Sequence, residues 1–86
     1  MYKVVIHKRV TKELKSLQKA HLRRFSEFAE MLKVNPVPWR EFDIRKIGGT
    51  ENTYRARIGD YRVIYFIDKP NKIIHILKLE RRERIY

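Results

Sequence analysis

The chain has 86 residues, enough for one domain whose core buries roughly 60% of the surface its unfolded form exposes. It has no cysteine, which excludes disulfide scaffolds, cysteine-ligated metals and thiol nucleophiles. Twenty-one Lys and Arg against ten Asp and Glu give a net charge of +11, a field that attracts polyanions such as nucleic acid. The first strand is expected over Tyr2–His7, short and β-branched. Thr11 reads as the cap of a helix carrying Leu14 and Leu17 on one side. A longer helix is expected from Ala20 to Val34, with Leu22, Phe25, Ala29 and Leu32 as its buried stripe. Pro36 and Pro38 end it, because proline excludes the preceding residue from helical geometry.

The remainder reads as sheet. Phe42–Ile47 alternates polar and apolar residues and closes on Gly48-Gly49. Tyr54–Ile58 and Tyr61–Ile67 are separated only by Gly59-Asp60, which predicts a tight hairpin with positive φ at the glycine. Asp68–Asn71 marks a further turn, and Lys72–Leu79 is apolar enough to be an interior strand. The expected architecture is a single α+β domain over residues 1–86, in the order βααββββ. The helices lie on one face of a mainly antiparallel sheet. No apolar run reaches the ~20 residues of a membrane span, which reads as a cytoplasmic protein with no membrane partner.

The hairpin carries the chemistry. A two-residue loop pairs Ile58 with Tyr61, Arg57 with Arg62 and Arg55 with Ile64. Tyr54, Ala56, Ile58, Tyr61, Val63 and Tyr65 then share one face, while Arg55, Arg57 and Arg62 share the other. Like charges facing each other across a ladder are a local cost. Asp60 sits in the turn, and no acid of these two strands compensates the three guanidiniums, so an external anion is the natural complement. A solubilising surface, or counterions for a partner's carboxylates, would use the same residues. Arg81, Arg82 and Arg84 follow the last strand and would extend the cluster if that strand lies near the hairpin. Trp39, between Pro38 and Arg40, reads as the edge of the core or as a binding-surface aromatic, the core edge being the preferred reading. His7, His21 and His75 lie too far apart for ligand spacing and read as structural; no metal site or cofactor is expected.

The run Tyr54-Arg55-Ala56-Arg57-Ile58-Gly59-Asp60-Tyr61-Arg62-Val63-Ile64-Tyr65, with Arg82-Glu83-Arg84-Ile85-Tyr86 at the end, resembles the RelE branch of the RelE/ParE toxin superfamily. The resemblance covers essentially the whole chain. It implies the toxin of a type II toxin–antitoxin pair, a ribosome-dependent endoribonuclease that cuts messenger RNA in the A site. The implied reaction is attack of a ribose 2′-hydroxyl on the adjacent phosphate without a metal. The implied partners are the ribosome, messenger RNA and an acidic, helical RelB-type antitoxin. Carried over by position, Arg57, Arg62, Arg82 and Tyr86 are the implied catalytic residues; Arg55, Arg81 and Arg84 are the implied RNA contacts. Well-studied relatives have lysine where this chain has Arg55 and Arg57. A guanidinium effectively cannot give up a proton, so neither arginine serves as a general base. The shared superfamily leaves two alternatives, a ParE-type gyrase-inhibiting toxin and a non-enzymatic RNA- or ribosome-binding protein.

Overall fold

The computed structural model of the chain describes residues 1–81. The elements run β1 (Lys3–Ile6), α1 (Lys8–Leu14), α2 (Lys19–Val34), β2 (Asp43–Lys46), β3 (Thr53–Ile58), β4 (Tyr61–Asp68) and β5 (Ile73–Arg81). This is the expected βααββββ order. The five strands form one sheet in the order β1-β5-β4-β3-β2. Strands β2 to β5 pair antiparallel, while β1 runs parallel to β5, so the first and last strands are neighbours and β5 is interior. No helix among the described residues is long and apolar enough to cross a membrane.

Both helices lie on one face, where alternation along each strand places Ala56, Ile58, Val63, Tyr65, Ile67, Ile74 and Ile76 in the core. Two helical expectations shift. Helix α1 starts at Lys8, ahead of Thr11, because Val10 is fully buried and the first helical turn is needed to carry it into the core. Thr11 back-bonds weakly to the His7 carbonyl, at 3.5 Å, instead of capping. On α2 the buried positions are Phe25, Phe28 and Leu32, whereas Leu22 is 39% exposed and Ala29 only half-buried. Steps of three and four from Phe25 fit either register; the larger Phe28 side chain wins the core. It meets Phe42 and Tyr65 edge-on, at ring separations of 5.1 and 5.6 Å.

The connection after α2 is pinned by the Tyr65 hydroxyl, which donates to the Pro36 carbonyl at 2.8 Å. In this segment Pro38 is the buried residue. Trp39 is 65% exposed, with the Arg40 guanidinium 5.4 Å from its ring centroid, so it lies outside the core. Consecutive residues of the turn at 38–42 cannot all point inward, and Pro38 and Phe42 take the inward places.

Candidate functional site

The site grows from the β3–β4 hairpin. Gly59 takes φ +58°, a conformation glycine adopts without the steric cost of a side chain. Space is a second constraint, since a Cβ on Gly59 would meet the His21 ring at 3.0 Å. His21 comes from the first turn of α2 and packs edge-on against Tyr61, with ring centroids 4.9 Å apart. The turn is therefore clamped from the helix side, and this fixes the ladder register: Ile58 with Tyr61, Arg57 with Arg62, Arg55 with Ile64. The alternation places Arg55, Arg57 and Arg62 together on the face away from the helices, all three exposed.

The flanking strands complete that face. On one side, β2 sets Asp43 opposite Arg57 and Arg45 opposite Arg55. On the other, β5 sets Glu80 opposite Arg62. One cross-strand row thus reads Asp43, Arg57, Arg62, Glu80, with the two cations inside and the two carboxylates outside. The carboxylates are engaged elsewhere. An Asp43 oxygen lies 3.8 Å from Arg45 Nε, and a Glu80 oxygen lies 3.3 Å from Lys78 Nζ. Among the described residues Arg55, Arg57 and Arg62 make no ion pair. Together with Asp43 and Arg45 they line an open cleft of about 200 Å³.

Among the described residues the cleft gathers four guanidiniums and one carboxylate, an excess of positive charge that attracts anions. Arginine's planar fork matches phosphate oxygens two at a time. Fixed donors of this kind stabilise charge that develops on a phosphorane more than charge already present. Among the described residues no three His, Asp or Glu side chains come together as a metal-binding group.

Arg81 does not join the cluster. It stands opposite Tyr61, on the other side of the strand from Glu80, with its guanidinium 6.0 Å from the Tyr61 ring. Arg82, Arg84 and Tyr86 lie outside the described residues. Asp43, Arg45 and Glu80 were not marked by the sequence reading. The alternation of β2 had already placed Asp43 and Arg45 on one face of their strand. Nothing in the connection from Ile47 to Thr53 fixed which residues of β3 they would meet.

The family model described as the ParE toxin of the type II toxin–antitoxin system, parDE, matches residues 4–86. A protein of Methanocaldococcus jannaschii described as a RelE1 toxin is 46% identical over 85 residues, 99% of this chain and 94% of the relative. A chain from the crystal structure of the archaeal RelE–RelB complex of Pyrococcus horikoshii OT3 superposes with a TM-score of 0.89. It has 53% identity and 98% coverage of both chains. The isolated Escherichia coli RelE toxin shares the fold, with a TM-score of 0.83 over 99% of this chain and 88% of its own, at 16% identity.

Proposed function

Because the chain belongs to the RelE/ParE toxin family of type II toxin–antitoxin systems, we propose that it acts as a RelE-type endoribonuclease, cutting messenger RNA on the ribosome. The observation that carries this reading is the convergence of Arg55, Arg57 and Arg62 in one open cleft, none of them paired with a carboxylate among the described residues. In the reaction a ribose 2′-oxygen attacks the adjacent phosphorus. Arg57 and Arg62 hold the phosphate and stabilise the pentavalent oxyanion, and Arg55 holds a neighbouring stretch of backbone. Arg82, and Tyr86 as a stacking or proton-transfer group, keep the roles that position in the family implies. Arg81 contacts RNA outside the cleft, and Arg84 keeps the RNA contact that its position in the family implies.

The partner is a RelB-type antitoxin. The relative with 53% identity was crystallised as a RelE–RelB complex. A surface of net charge +11 suits an acidic segment that folds as it docks and neutralises the cleft. Expression of the toxin alone is expected to arrest growth, and co-expression of the antitoxin to restore it.

The family model's ParE name favours a second reading, gyrase inhibition without RNA cleavage. The two relatives at 46% and 53% identity, both RelE in name, favour the first. Primer extension on a translated message separates them. The expected result is discrete stops that need ribosomes and vanish with Arg62→Ala. An intact message together with loss of gyrase supercoiling activity would overturn the ribonuclease reading.

A further inference from the structure

We propose that Asp43 takes the proton from the attacking ribose hydroxyl. This inference rests on the reading of the cleft as a ribonuclease site. It begins with a chemical deficit. Arg45, Arg55, Arg57 and Arg62 line the cleft, and a guanidinium effectively cannot serve as a base. Among the described residues, Asp43 is the one lining residue whose side chain accepts a proton. The three histidines lie elsewhere. His21 sits beneath the Gly59 turn on the helix side, His75 packs beside Phe66 on β5, and His7 precedes α1.

Position agrees with the chemistry. Asp43 is the cross-strand neighbour of Arg57, and Arg57 is the neighbour of Arg62. Adjacent strands lie about 4.8 Å apart, so a phosphate held between the two arginines has the Asp43 carboxylate one strand away on the β2 side. A ribose attached to that phosphate spans such a gap. The side chain is 55% exposed and reachable by RNA. Its only ion pair among the described residues, to Arg45 Nε at 3.8 Å, is too long for a hydrogen bond and leaves its oxygens able to accept. Glu80, at the other end of the row, does not line the cleft and is held by Lys78 at 3.3 Å. The charged groups facing Asp43 are Arg45 on its own strand, Arg55 and Arg57 from β3, and Arg62 from β4. Glu80 lies beyond Arg62 on β5.

In the step, the O2′–H bond breaks and its proton passes to an Asp43 oxygen as the O2′–P bond forms. The P–O5′ bond then breaks, and the departing oxygen takes a proton from water. The protonated carboxyl returns its own proton to water. The products are a 2′,3′-cyclic phosphate and a 5′-hydroxyl end, with no oxidant, reductant or added co-reactant.

The test is single-turnover cleavage of a message on programmed ribosomes, measured across pH for the wild type, Asp43→Asn, Asp43→Glu and Glu80→Gln. Ribosome binding is measured alongside. General-base removal predicts a rate lower by about 100-fold or more for Asp43→Asn. The acid limb of the pH–rate profile should disappear, binding should stay within about threefold, and Asp43→Glu should recover part of the rate. Asp43→Asn cutting within about threefold of wild type with an unchanged profile overturns the assignment. So does a binding loss that matches the rate loss, or Glu80→Gln carrying the defect instead. A wild-type protein that leaves the message intact overturns the ribonuclease reading itself, a result distinct from all of these.

Discussion

Arg57 and Arg62 stand directly opposite each other on the open face of the β3–β4 ladder, and each has a carboxylate as its next cross-strand neighbour, Asp43 and Glu80 respectively. Both carboxylates pair with a different cation, so the central repulsion is moderated by the flanks without either arginine being tied down. Directly opposed like charges cost a sheet about 0.2–1 kcal/mol. Replacing one of them should therefore separate stability from activity. Arg62→Gln is expected to melt at the same temperature as wild type or a few degrees higher. Its cleavage rate should fall roughly 100- to 1000-fold, as when a fixed donor to a developing oxyanion is removed. Thermal melts and primer extension on one preparation check both halves. A clear drop in melting temperature would show that Arg62 is held by favourable native contacts.

The Gly59 turn is constrained twice, by its φ of +58° and by the His21 ring 3.0 Å from where a Cβ would stand. Gly59→Ala is expected to destabilise by about 1–2 kcal/mol from the left-handed backbone alone, and by more from the ring. In a His21→Ala background the ring contribution disappears and only the backbone share remains. Denaturant melts of the two single variants and the double variant measure this coupling. Additive effects would mean that the ring moves aside at no cost.

Tyr65 is fully buried, and burial, with a lesser contribution from neighbouring Tyr54, pushes its hydroxyl well above the usual tyrosine value of 10. The unfolded chain loses this proton from about pH 10 while the folded chain keeps it, so the unfolded state binds fewer protons and stability falls as pH rises past 10. Tyr65→Phe also removes the hydrogen bond to Pro36, at a cost of about 1 kcal/mol at neutral pH. The difference in stability between wild type and Tyr65→Phe should shrink between pH 9 and 11. Urea titrations across that range check it, and a constant difference would contradict the shift.

Phe28 and Trp39 make opposite predictions from similar chemistry. Phe28 has no exposed surface and touches Phe42 and Tyr65, so Phe28→Ala should cost about 3–5 kcal/mol, a large share of the stability of so small a domain. Trp39 is 65% exposed, so Trp39→Ala should change stability by less than about 1 kcal/mol. Paired thermal melts decide this, and a large loss for Trp39→Ala would place the indole in the core after all.

Much of the hairpin was legible because the information was local. A two-residue loop beginning with glycine leaves one register, and side-chain alternation then assigns each residue of both strands to a face. The long helix showed its length but not its inward side, since Ala29 and Phe28 satisfy the same spacing from Phe25 and only packing against Phe42 and Tyr65 separates them. Trp39 was misread because apolar character does not say which residues of a tight turn point inward.

The sequence by itself determined the basic charge, the element order and the shared face of Arg55, Arg57 and Arg62, all of which follow from composition or from residues adjacent along the chain. Only the tertiary structure decided what flanks that face. Strand β2 reaches Arg57 through a connection whose length sets no register, and β5 reaches Arg62 after a bulge beside Ile64 and Tyr65. Pairing between strands is set by long-range packing, so the carboxylate beside the arginines became visible only when the sheet was assembled.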